Sequence, residues 1–117
     1  MSGGRDSSPV GAVAAAISNA IVHLLSRHYG RGPTKAKTYL FDNYVFCVLQ
    51  EILTTSEQTL AEAGHQDLVR RVRLAFQEIM KKEFTDAVEQ ITGRRVVAYH
   101  SQVVFNPDMG FEIFVLE

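Results

Sequence analysis

The turn Gly30-Arg31-Gly32-Pro33 is the stretch of this sequence best suited to hold an anion. Flexible glycines can point backbone N–H groups at a ligand, and Arg31, Lys35 and Lys37 are close enough in sequence to clamp it. It is not a nucleotide-binding P-loop, because the GxxxxGK[ST] spacing is missing and the turn follows a helix instead of opening one. The plainer reading of the same residues is a helix C-cap and a turn. A second basic cluster, Arg70, Arg71 and Arg73, falls at the start of a long predicted helix, where the dipole favours acids. A local rule broken in this way marks a candidate anion- or partner-binding surface. Its plainer reading is a solvated or dimer-facing surface. Arg94 and Arg95 lie at the far end of that helix, where cations suit the dipole.

No catalytic constellation emerges from the remaining reactive residues, and the chain is not expected to be an enzyme. His23 and His28 are five apart, so they do not share a helix face as metal ligands would, and HExxH is absent. His100 stands beside Ser101 on a predicted strand with no identifiable acid partner. Cys47, the single cysteine, sits inside the most apolar strand and reads as a core thiol. Glu51 and Glu112 are the carboxylates nearest the apolar core, and pairing with arginines at the sheet ends is their expected role. No metal site and no cofactor are expected.

The totals set the frame. The chain has 117 residues, a net charge of −1 and 46% hydrophobic content. That length suits one domain able to bury a core without staples. The balanced charge gives no reason to expect nucleic acid. The longest apolar stretch, residues 9–25, is short and interrupted by Ser18, Asn19 and His23, so it reads as an amphipathic helix and not as a membrane span or leader.

The elements that must position these residues follow in order. Residues 1–8 read as a disordered tail and 9–117 as a single domain. Ser8-Pro9 opens a helix that runs to about His28, with an alanine-rich stripe of Val10, Val13, Ala14, Ile17, Ile21, Leu24 and Leu25. Strand patterns at 35–41 and 44–53 flank the turn Asp42-Asn43 and predict a hairpin. The second pattern, YVFCVLQEIL, reads as a strand buried on both faces. Thr54 to Glu57 is a capping box that opens a short helix ending at Gly64. A long helix follows from about Gln66 to Thr92, with a broad stripe that includes Leu68, Val69, Val72, Phe76, Ile79, Met80, Phe84 and Val88. Residues 95–105 and 111–116 are two further strands joined by a turn cluster at 106–110. The expected fold is α+β, in the order α-β-β-α-α-β-β. Its four-stranded antiparallel sheet consists of two hairpins covered by helices.

Five pieces taken together resemble a known family: YGRGPTKAKTYLFDN (29–43), LTTSEQTLAEAG (53–64), the arginines of the next helix with Phe76, VEQITGRRVVAYHSQ (88–102) and the terminal FEIFVLE. They are similar to the MpsC-type domain, named for a sodium-translocating, membrane-potential-generating system. The resemblance covers nearly everything after residue 8. It implies a small soluble protein associated with a membrane transport system for sodium or inorganic carbon. Without a membrane span it would not conduct ions itself. Position by position, the family-like residues are Gly30, Arg31, Gly32, Pro33, Thr54, Glu57, Arg73, Gly93 and Arg94.

The resulting expectation is an accessory or regulatory subunit, cytoplasmic, peripheral at the inner membrane through a multi-span protein partner and not inserted directly. The alanine-rich first helix and the open sheet edges suggest a homodimer. The anion- or partner-binding candidates are Arg31, Gly32, Lys35, Lys37, Arg70, Arg73 and Arg94. The alternative is a sensor for a small anion or nucleotide, built on the Gly-Arg-Gly-Pro turn.

Overall fold

The structure, a computed structural model, describes residues 8–117. The expected disordered tail lies, apart from Ser8, outside the described residues. The element order is α1 (Pro9–Tyr29), β1 (Lys35–Phe41), β2 (Tyr44–Gln50), α2 (Thr55–Glu62), α3 (Gln66–Thr92), β3 (Val96–Phe105) and β4 (Asp108–Leu116). The expected α+β architecture and element order are both present. All neighbours in the four-stranded sheet are antiparallel, in the order β1-β2-β4-β3. The two hairpins meet through β2 and β4, which leaves β1 and β3 as the edges.

Local chemistry sets the boundaries. The Ser8 hydroxyl accepts from the Gly11 N–H at the start of α1, and Gly30 ends the helix at φ 81°, a conformation that glycine adopts without strain. Thr54 and Glu57 form the predicted capping box of α2. Asp42 takes the positive φ of the first hairpin turn. Asn106 and Pro107 alone close the second, since Phe105 pairs with Asp108. β4 therefore begins three residues earlier than the turn-forming residues suggested.

α1 and α3 cover one face of the sheet, and α2 packs on α3. The core between the layers contains Ile17, Ile21, Leu25, Val45, Cys47, Leu49, Met80, Phe84, Val88 and Phe114. Each such side chain contributes about 1.5–3 kcal/mol by leaving water. Although α1 reaches the length and mean hydropathy of a membrane-crossing helix, at 1.5, its apolar stripe faces this core. Ser18 bonds Thr38 of β1 at 2.7 Å, and His28 meets Glu83 of α3 at 2.6 Å.

Two expectations need correction. β2 is not buried on both faces. Val45, Cys47 and Leu49 point into the core, while Tyr44, Phe46 and Val48 point to the open side. The apolar run also leaves the strand after Gln50. Glu51 turns at φ 56°, and Ile52 and Leu53 enter the core from a connecting loop. The second correction concerns α3, whose broad stripe splits in two. Val69, Arg73, Met80, Phe84 and Val88 face inward, whereas Leu68, Val72, Leu74 and Ile79 are exposed.

Candidate functional site

Two of the residues singled out by sequence, Arg31 and Arg73, converge on the loop between β2 and α2, residues 51–54. Arg31 donates to the carbonyls of Leu53 and Glu51, each at 2.9 Å. Arg73 donates to the Ile52 carbonyl at 2.9 Å and to both carboxylate oxygens of Glu57, at 2.6 and 2.7 Å. Its guanidinium also lies 4.0 Å from the Tyr29 ring centroid. From the opposite side the Asp108 carboxylate accepts from the N–H groups of Ile52 (2.9 Å) and Leu53 (3.2 Å). A loop that turns into the core has to satisfy its backbone polar groups, and these side chains do so.

Arg73 therefore does not join Arg70 and Arg71 on a basic surface. It lies on the inward stripe with Val69 and Met80 and is 5% exposed. Burial alone would lower its pKa and raise that of Glu57. The hydrogen-bonded pair outweighs burial at both ends, so Glu57 sits below the usual carboxylate range and Arg73 above its own. Arg70 instead bonds Asp67 and lies over the Phe105 ring at 4.8 Å. Arg94 donates to the Glu117 carbonyl and, at 3.4 Å, to that of Asp42, tying the chain end to the first hairpin turn.

The Gly-Arg-Gly-Pro turn is organised by the same loop. Gly32 lies against Ser26 and Val22 of α1 so closely that a Cβ there would displace the serine side chain. Lys35 and Lys37 alternate onto the open face of β1, away from the carbonyls that Arg31 holds. Arg31, Gly32, Lys35 and Lys37 thus do not converge on one centre. An open groove of about 570 Å³ between α1 and β1 includes Lys37 but not Arg31.

A second buried group lies beside the Arg73 pair. Glu112 is 5% exposed and is not paired with an arginine as expected. It accepts hydrogen bonds from the Tyr99 phenol and from Ser101 Oγ, the latter at 2.9 Å. Burial pushes its carboxyl up to about 7. The two hydrogen bonds and the charge of Arg73 pull it the other way without cancelling that effect. Tyr99 is raised in turn, by burial and then by Glu112. Glu112, Arg73, Tyr29, Gln77 and Ser101 help line a cavity of about 10 Å³, close to the size of one water. Period-two alternation in FEIFVLE could have located Glu112, since it shares a face with Phe114 and Leu116. The same alternation puts His100 and Ser101 on opposite faces, so they cannot act as a dyad. Cys47 is a core thiol as expected, its pKa pushed up to about 11 by burial.

Residues 10–117 match the family described as "Na+-translocating membrane potential-generating system (MpsC)". The chain belongs to the MpsC family. Uncharacterized protein YrhF of Bacillus subtilis (strain 168) is similar to this MpsC chain, at 24% identity over 102 residues. The match spans 85% of the chain and 84% of YrhF. No solved structure matches. In this MpsC domain the family-like residues Arg31, Thr54, Glu57 and Arg73 all serve the 51–54 loop.

Proposed function

We propose that the chain is an accessory or regulatory subunit of the membrane system its family is named for, and that it acts by docking and not by catalysis. One observation carries this reading. Leu68, Val72, Ala75 and Ile79 form an outward stripe on α3, spaced four, three and four residues apart. Leu68, Val72 and Ile79 are 37%, 41% and 66% exposed. That spacing is the seam by which one helix accepts another. The occupant we assign is a helix of a multi-span protein of the same system. The domain would then be held peripherally at the cytoplasmic side of the inner membrane through that protein. Arg71 and Glu78, beside the seam, can orient the incoming helix by charge.

Co-purification tests this reading. The tagged chain and a Val72→Glu/Ile79→Glu double variant are each recovered from detergent-solubilised membranes of the source cell. A multi-span protein that co-purifies with the wild type and is lost with the variant supports docking at α3. Equal recovery with both would place docking elsewhere.

A further inference from the structure

The face of the sheet opposite the helices carries a continuous apolar patch on β1, β2 and β4, while edge strand β3 turns Ala98, His100, Gln102 and Val104 to it. Tyr39 and Phe41 of β1, Tyr44, Phe46 and Val48 of β2, and Phe111, Ile113 and Val115 of β4 all point to it, as the strand registers require. Phe46 and Phe111 stack across β2 and β4 with centroids 5.7 Å apart and planes 7° from parallel. Tyr39, Phe41 and Tyr44 remain 47%, 59% and 44% exposed. Lys35 and Lys37 are the charged residues on this face, both on edge strand β1, where a long side chain can reach the rim. Among the described residues no carboxylate points to it and no helix covers it.

We infer that this face joins two copies of the chain, sheet against sheet, about a two-fold axis. The dimensions favour a second sheet as occupant. Four strands at about 4.8 Å and seven or more residues at about 3.3 Å give a face roughly 19 by 23 Å. A single helix, about 10 Å across, would leave half of it wet. A second copy supplies a sheet of the same width and twist, which can stack at about 10 Å with aligned strands. Allowing for corrugation, the two faces together bury on the order of 1,000 Å² or more, the range in which specific interfaces begin. Such a sandwich gives β2 the second buried face that its sequence pattern calls for. It also leaves the α3 seam on the outside of the dimer, free for the partner proposed above.

The test is the mass of the full chain in solution, by sedimentation equilibrium from about 0.1 to 100 μM. The inference predicts a species of twice 13.1 kDa. Phe111→Glu should shift the dissociation constant at least tenfold toward monomer, whereas Ile79→Glu on α3 leaves the dimer intact. Tyr39→Lys, at a half-exposed edge position where no cavity is opened, repeats the test if Phe111→Glu unfolds. A wild-type monomer throughout the range overturns the inference. So does a dimer that survives Tyr39→Lys or a folded Phe111→Glu, because its interface must then lie elsewhere.

Discussion

Replacing Glu112 by glutamine should stabilise the fold at alkaline pH and flatten its pH dependence. The folded carboxyl sits at about 7 against an ordinary value of 4.5. Between those values the folded chain holds a proton that the unfolded chain has released. Stability therefore falls as pH rises through this window and levels off above it. A shift of about 2.5 units at about 1.4 kcal/mol each amounts to roughly 3 kcal/mol. For a chain of this size that is on the order of 10 °C in Tm. The groups facing Glu112 should not confuse the result. Cys47 of β2, Tyr99 of β3 and Tyr29 of α1 are all raised by burial and stay neutral here, Tyr29 at about 12. Arg73 of α3 stays charged and Glu57 of α2 stays ionised. The glutamine amide oxygen can still accept from Tyr99 and Ser101, so the packing is kept. Urea unfolding of both proteins at pH 5 and pH 8 reads the effect. The variant should match wild type at pH 5 and exceed it by up to about 3 kcal/mol at pH 8. Equal slopes in the two proteins would refute the assignment of a buried, proton-binding Glu112.

Three further predictions concern the buried polar groups. Arg73→Met should cost about 3–5 kcal/mol in urea unfolding, because it leaves Glu57 buried and unpaired. Adding Glu57→Gln should recover part of that loss, whereas Arg70→Ala should change stability by less than about 1 kcal/mol. Arg31→Ala should lower stability by about 1–3 kcal/mol in plain buffer, since it removes donors from the carbonyls of Glu51 and Leu53. A variant as stable as wild type, but deprived of an anion-dependent rise in melting temperature, would instead restore Arg31 as an anion ligand. Cys47 should resist alkylation at pH 8 in the native protein and react at once in denaturant. Rapid native labelling would show that β2 opens.

The element order was legible because each boundary has a local cause. Ser8 and Thr54 start helices through their side-chain hydroxyls, and Gly30, Gly64 and Gly93 end them by taking positive φ. Long-range geometry was less accessible. Leu68, Val72 and Ile79 sit next in sequence to the inward stripe of α3, and a three-to-four-residue period does not say where the sheet ends. Arg73 looked like surface because it stands among arginines. Its helical position and the capping glutamate 16 residues earlier, which closes on it only in the folded chain, place it inside. The apolar run through Leu53 looked like one strand because hydrophobicity does not distinguish a strand from a loop that dives into the core. Only Arg31, Arg73 and Asp108, brought together by the fold, explain why that loop can be buried. The both-faces pattern of β2 did record a real property, a second apolar face that the single chain leaves open.

The most direct measurement of the docking account is site-specific photocrosslinking in the source cell. A photoreactive residue is placed at position 72 or 79 on the α3 seam, and at Glu62 on α2 as an exposed control. The account predicts a covalent adduct with a multi-span membrane protein from positions 72 and 79, and none from position 62. Failure to form that adduct at either seam position, or equal adducts at all three, would contradict it.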